Sequence, residues 1–383
     1  MIDLTPTDEQ RMLWDAIVNF TQRELNEDVR GRDASGEFRH DLWLKCGEMG
    51  LQGLPVPEEL GGMGLDPVST VVALEALGYG SHDGGLNFSI CAHLLACVVP
   101  IWKHGSSSQH ERLLPELCRG TLIAVNGMTE PGTGSDAFAM ATKAVPSGDG
   151  FRLSGTKTFN SNAPVADVAL IYAVTDPDKG YMGGVTAFVV DTGTAGFERG
   201  QRFEKLGLRT SQIGELVLDD VHVPSSAVLG KVGGGGTIFV ESMDWERACL
   251  GACHVGTMQR LLEKSIDYAR TRKQFGRPIG KNQAVSHKLA DMRVRLEASR
   301  LMTYRAAHAL ANKRSASLEA SMAKLFVSEA LLQTALDSVQ VFGGNGFMTE
   351  YEVERSVRDA VGARIYSGTS EMQRNIISTW LGL

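Results

Sequence analysis

Apolar residues change their spacing twice along this chain, and that change sets the architecture. Leu13, Ile17 and Phe20, with Trp14 and Val18, recur every three to four residues, the period of one helix face. The stretch TPTD reads as a helix start, with Thr5 as cap, Pro6 in the first turn and Asp8 three residues after the cap. A second helix over roughly 40–50 stops near Gly50. GLPVPEELGGMGLD is a Gly/Pro-rich connection. STVVALEALGYG, LNFSICAHLLACVVPIWKHG and ERLLPELCRG are helical again. From the turn PSGDG onward the period shortens. FRLSGTKTF alternates, and VALIYAVT, GVTAFVVD and ELVLDDVHVP are short β-rich runs separated by polar turns, which predicts a compact β domain. GGGG at 233–236 breaks the chain, and long helical segments follow at roughly 237–271, 283–311, 317–341 and 370–381. The expected division is a helical domain over 1–120, a β domain over 121–232 and a helical bundle over 233–383, with some bundle surface buried between subunits.

Composition narrows the function classes. Of 383 residues, 43% are hydrophobic and 22% charged, so a core needs no metal or disulfide staple. The net charge of −7 and the lack of a basic block argue against nucleic acid as partner. Six cysteines without a C-x-x-C pair point to a reducing compartment, and a cytoplasmic location is expected. MIDLTPTDEQ is too acidic and polar for a signal peptide. LNFSICAHLLACVVPIW reads as too short to cross a membrane, and it carries a histidine. The nine histidines include no H-E-x-x-H or zinc-ligand cluster, so no metal is expected.

Five stretches carry residue types suited to a ligand, and each has a plain structural reading beside it. MTEPGTGSD (128–136) is a tight loop whose N–H groups and hydroxyls suit a polar cofactor edge, or simply a turn. GTKTFNSNA (155–163) ends a strand with an aromatic beside hydroxyl and amide groups, which suits a planar heteroaromatic ring or an ordinary turn. ARTRKQFG (269–276) places Arg270, Arg272 and Lys273 at a helix C-terminus, where cations are favoured anyway; Arg272 is also suited to clamping a pyrophosphate. QVFGGNGF (340–347) permits close backbone approach or ends a helix. RIYSGTSEMQ (364–373) offers a cap at Thr369 or Ser370 with N–H groups ahead of a helix.

In this order, together with EKLGLRTS, VHVP and ARTRKQFGRPIGKNQAV, these stretches resemble the acyl-CoA dehydrogenase family along essentially the whole chain. GLNFSICAHLLACVVPIWKHGSS and NAPVADVALIYAVTDPDKG are most similar to the branch that oxidises carrier-protein-bound thioesters, the L-prolyl-carrier-protein dehydrogenases. The resemblance implies an α+β fold with an N-terminal helical domain, a central antiparallel β-barrel-like domain and a C-terminal four-helix bundle, assembled as a homotetramer. It implies FAD between the β domain and the bundle. Met128 and Thr129 would approach the flavin, and Ser135 the cofactor phosphates or the substrate entrance. Phe159 would stack near the isoalloxazine, and Ser161 would lie close to its N5. Arg272, Phe275, Gln340 and Gly344 would come from a neighbouring subunit to the pyrophosphate and adenine side. Thr369 and Glu371 would lie near the cofactor in the chain's own bundle.

One position departs from the family pattern. Many relatives carry the catalytic glutamate immediately before the Gly-Thr of the last stretch, where this chain has Ser367. A minority place the base on the first bundle helix, and Glu246 in ESMDWERACL matches that position. Its plain alternative is an ion-paired glutamate, for which Arg247 is a poor partner because adjacent helix residues do not face each other. Arg247 would contact the substrate's pantetheine arm or the bundle, with Asp244 a lesser candidate for that arm. Ser367 would keep a substrate role through its backbone N–H, aimed at the developing enolate oxygen. The activity implied is α,β-desaturation of an acyl thioester such as L-prolyl on a carrier protein, with Glu246 taking the α-proton and flavin N5 the β-hydride. A short- or branched-chain acyl-CoA dehydrogenase, an acyl-thioester oxidase and a non-catalytic scaffold with this fold remain alternatives. The implied partners are a phosphopantetheine-bearing carrier protein or an acyl-CoA, and an electron-transferring flavoprotein or oxygen as acceptor.

Overall fold

A computed structural model describes residues 5–312 and 315–383. The first four residues of the acidic N-terminal stretch lie outside the described residues. The first helix runs Asp8–Glu24, and its cap is Thr7, not Thr5: the Thr7 side chain accepts from the Gln10 N–H while Gln10 reaches back to the Thr7 N–H. The reciprocal pair satisfies two orphan donors, which the single cap at Thr5 would not. A short helix at Val29–Ser35 has too little apolar periodicity to show in the sequence.

The apolar segment expected to be too short for a membrane is in fact one helical run, Gly84–His104, of 21 residues and mean hydropathy 1.7. A π turn at Leu94–Val98 lies inside it. The run is 83% buried within the protein, as a core helix is. It lies beneath the first bundle helix, where Ser242 Oγ donates to the Leu95 carbonyl at 3.5 Å.

Eight strands build the central sheet: β1 Ala124–Gly127, β2 Lys143–Ser147, β3 Gly150–Ser161, β4 Val168–Val174, β5 Val185–Asp191, β6 Phe197–Arg202, β7 Ile213–Pro224 and β8 Val228–Leu229. Their order is β6-β7-β3-β2-β4-β5-β8, with β1 beside β4. The sheet is mixed rather than antiparallel throughout, because β4 runs parallel to β1 and, at one pair, to β2. β4 and β5 are buried on both faces, hence their unbroken apolar runs. Val168, Leu170 and Tyr172 face the core shared with the N-terminal helices. Ala169, Ile171 and Ala173 face a second core behind the sheet. β6 is an edge strand rich in charge, which hid it from a reading based on hydrophobicity.

The expected helix over 237–271 is two, Gly235–Cys249 and Gly251–Thr271, meeting at Leu250. Gln283–Ala311 and Ser317–Phe342 pack with the second of these around a third core, and an unexpected helix, Val353–Ala363, closes its end. The N-terminal layer and the bundle touch backbone to backbone. A Cβ on Gly78 would lie 2.0 Å from the Cys253 carbonyl oxygen, and one on Gly256 would lie 2.1 Å from that of Glu75. Arg260 then caps the end of helix Pro67–Gly80 by donating to the carbonyls of Gly78, Tyr79 and Ser81.

Candidate active site

Glu246 sits on the helix Gly235–Cys249 with only 8% of its surface open. The side chain lines a hollow with Arg247, Leu250, His254, Lys324, Tyr366 and Ser367. Burial holds its carboxyl above the usual carboxylate range, while a Ser367 hydrogen bond and the Arg247 and Lys324 charges pull the other way. Ser367 Oγ donates to Glu246 Oε1. Ser367 thus reaches the carboxylate that the sequence singled out. Sequence spacing gave no signal for this contact, since the two residues are 121 apart.

The turn carrying Ser367 is held by its carbonyls. Arg247 Nε donates to the Ser367 oxygen at 2.9 Å, Lys324 Nζ to the Gly368 oxygen at 2.6 Å, and Gln373 Nε2 to both, at 3.2 and 2.9 Å. Ser367 has φ of 57°, a left-handed conformation costly for a residue with a side chain. Those donors hold it there. Arg247 therefore spends its guanidinium on the turn, and no ion pair joins it to Glu246 among the described residues. Asp244 is not brought into the hollow: both its oxygens accept from Ser317 Oγ, at 2.8 and 2.7 Å.

The two stretches at 128–136 and 155–163 meet through a buried ion pair that the sequence did not reveal. Lys157 and Glu130 have side-chain exposures of 0% and 6%, with Nζ to Oε1 at 2.8 Å. Lys157 also donates to the Met128 carbonyl at 3.2 Å, and Glu130 accepts the N–H groups of Ala141 and Thr142. Burial lowers the Lys157 pKa to about 8 despite its partner. The pair fixes the loop against β3, while the Thr158 N–H donates to the Thr129 carbonyl at 2.9 Å. Met128 is buried, Thr129 and Ser161 are half-buried, and Ser135 is exposed at the loop tip. Phe159 is 63% exposed with φ of 56°, at an irregularity in the β3–β7 register.

Arg272 is the C-cap of the helix Gly251–Thr271 and leads into a two-residue hairpin between Lys273–Gln274 and Arg277–Pro278. Its tip is Phe275 and Gly276, both at positive φ, the turn whose twist suits a hairpin. Phe275 is 96% exposed. Gln340 lies in the last turn of Ser317–Phe342, and Gly344 lies just beyond it with nothing within 4 Å of an added Cβ. Thr369 caps the helix Ser370–Trp380 by accepting from the Met372 N–H. Glu371 stands exposed in that helix's first turn. Its pKa is lowered by backbone N–H donation and by Thr369.

These features fit FAD. Phe159 offers an unburied ring beside the anchored loop, and Thr133 Oγ1 in that loop is buried with no partner among the described residues. The open backbone at Gly344, the Phe275 tip and the capped N-terminus at Ser370 add polar and aromatic surface. Phe275 and Gly344 are open to a second molecule and are not gathered about Glu246.

The chain matches three family descriptions in order: acyl-CoA dehydrogenase N-terminal domain over 7–121, middle domain over 126–221 and C-terminal domain over 233–382. It belongs to the acyl-CoA dehydrogenase family, whose members are FAD-dependent dehydrogenases, and its enzyme class and cofactor follow from that membership. Among its relatives, the L-prolyl-peptidyl-carrier-protein dehydrogenase of Pseudomonas fluorescens strain Pf-5 is 43% identical over 354 residues, 92% of this chain and 93% of that protein. A solved structure of PigA with FAD and proline superposes with a TM-score of 0.97 at 40% identity, covering 100% of both chains. The prolyl acyl carrier protein oxidase AnaB gives a TM-score of 0.97 at 42% identity, over 99% of this chain and 100% of that one.

Proposed function

We propose that the chain introduces an α,β double bond into an L-prolyl group held as a thioester on a carrier protein, with Glu246 as the base. The observation that carries this reading is a buried carboxylate, raised in pKa, at the wall of a hollow and touched by the serine of the last family stretch. The relatives named for prolyl carriers favour the substrate.

A thioester acidifies its Cα–H, and Glu246 takes that proton; its raised pKa makes it a stronger base than an exposed glutamate. FAD, when bound, accepts the hydride that leaves Cβ. Proton and hydride together account for the two hydrogens lost. Ser367 steadies the carboxylate through its hydroxyl, and its backbone N–H is assigned to the thioester oxygen, where charge develops. Arg247, Lys324 and Gln373 keep the turn in place for that task. Met128, Thr129, Ser135, Phe159, Ser161, Thr369 and Glu371 are assigned to the cofactor within one chain. Arg272, Phe275, Gln340 and Gly344 are assigned to it across a subunit contact in a homotetramer. The enzyme is placed in the cytoplasm, with a flavoprotein or oxygen as electron acceptor.

The test is anaerobic stopped-flow of flavin-loaded protein, followed at the flavin's visible band. The protein is mixed with prolyl-carrier protein, other acyl carriers and the matching CoA thioesters. Fast bleaching with the prolyl carrier alone, abolished by Glu246→Gln, is expected. Equal bleaching by a CoA thioester would remove the carrier assignment, and bleaching that survives in the variant would remove Glu246. Oxygen added to the reduced enzyme separates the acceptors, because rapid recovery of colour marks an oxidase.

A further inference from the structure

Beside the base, the hollow carries a polar pair that the reaction above leaves without a task. Tyr366 Oη and His254 Nε2 are 2.8 Å apart. Both side chains line the hollow with Glu246 and Ser367, between the apolar surfaces of Leu250, Val327 and Ala363. Glu246, Leu250 and His254 are spaced by four along an almost continuous helical run, so they share one face. Tyr366 immediately precedes Ser367. The base and the polar pair are therefore mounted on the same two segments. Phe88 packs on the Tyr366 ring with centroids 4.5 Å apart, which restricts it.

The protonation of the pair follows from its depth. Burial, with the Lys324 charge, lowers the His254 pKa to about 4, so the imidazole is neutral at physiological pH. The Tyr366 hydroxyl is far from ionising, chiefly through burial. A neutral imidazole can accept the phenolic proton at Nε2, and the phenol oxygen then keeps lone pairs for another donor. A hydrocarbon acyl chain brings no donor to this wall, whereas a cyclic secondary amine does.

We propose that Tyr366 and His254 select the nitrogen-containing ring of the substrate: the Tyr366 oxygen accepts the ring N–H, and His254 fixes the direction of the Tyr366 hydroxyl. The inference rests on the prolyl reading above. Tyr366 touches the substrate, and His254 acts through it as a positioning residue. With the ring nitrogen held at this wall and the thioester at the Ser367 turn, Cα lies toward Glu246.

The experiment compares two rings on the same carrier, L-prolyl and cyclopentanecarbonyl, the second lacking only the nitrogen. Flavin bleaching in a single turnover gives the rates, and calorimetric titration of Glu246→Gln holoenzyme gives the affinities without reaction. The native enzyme is expected to favour the prolyl ring by at least about tenfold, the size of one well-placed hydrogen bond. Tyr366→Phe should erase that preference by slowing the prolyl carrier about tenfold while leaving the cyclopentane carrier within about threefold. His254→Leu should behave likewise, and His254→Gln, which keeps an acceptor, should recover part of the preference. The Leu variant also carries the test if Tyr366→Phe fails to fold. Equal slowing of both rings in the variants, or native enzyme that treats both rings alike, overturns this inference and leaves the prolyl reading standing. Bleaching by neither ring, with bleaching by another acyl carrier, overturns both.

Discussion

The hollow around Glu246 and the fringe formed by Phe275 and Gly344 differ in one respect: the first is braced by side chains of the same chain and the second stands open. At the Ser367 turn the carbonyls of Ser367 and Gly368 are gripped by Arg247, Lys324 and Gln373 of the same chain. Phe275 stands at a hairpin tip with 96% of its surface open, and Gly344 faces nothing within 4 Å. A site that must hold a carboxylate at an unusual pKa needs fixed neighbours, because small displacements change the field it feels. A surface that receives a ligand or another copy has to remain open until that partner arrives. Under the function proposed above, the contrast would be a division of labour, with proton abstraction prepared within one chain and the far end of the cofactor site finished by association.

Substitutions can break or sharpen this contrast. The largest effect is expected from Glu246→Gln, which should slow flavin bleaching by about a thousandfold or more, within the range of a lost general base. It should not unfold the protein. The folded-state pKa of Glu246 lies above its unfolded value, so its favourable contribution is present at acidic pH and is lost as pH rises through the folded pKa. At neutral pH the glutamine variant should therefore match or exceed the native Tm in a thermal scan. Glu130→Ala comes next. It leaves the fully buried Lys157 ammonium without its partner and should cost about 3–5 kcal/mol, read by denaturant unfolding. Flavin retention should fall with it, because the loop at 128–136 loses its anchor.

Ser367→Ala should act more gently. The serine hydroxyl lowers the Glu246 pKa, so its removal raises it. The acidic limb of kcat/KM against pH should then move to higher pH, because a larger share of the carboxylate stays protonated. The smallest effect on stability is expected from Phe275→Ala, within about 0.5 kcal/mol, as for an exposed side chain. Its flavin content and oligomer size, measured by absorbance and sedimentation, should nevertheless fall. A large loss of stability in the unassociated chain would contradict the open fringe.

How much of this was legible in the sequence depended on range. The β runs of β4 and β5 were plain because burial on both faces leaves an unbroken apolar string. β6, with one buried residue at its start, left no such trace. Glu246 as base rests on resemblance to one arrangement of the family, while helix geometry argues against Arg247 as its partner, and Arg247 Nε indeed goes to the Ser367 carbonyl. The Glu130–Lys157 pair and the Ser367–Glu246 contact were hidden because each joins residues distant in sequence, 27 and 121 apart, that only the tertiary fold brings together. The cap at Thr7 was missed by two residues, since Thr5 and Thr7 both precede helix-forming sequence and only the partner at Gln10 separates them.

The crossing of Gly78 over Gly256 has a kinetic consequence. Two helices in backbone contact, with Arg260 spanning from one to the last carbonyls of the other, cannot part without losing packing and hydrogen bonds together. The amide hydrogens of Pro67–Gly80 and of Gly251–Thr271 should therefore exchange with deuterated water as one slow class. The boundary near residue 120 divides the chain by sequence pattern, while this expected slow class would join a segment from before that boundary to one beyond the sheet in sequence.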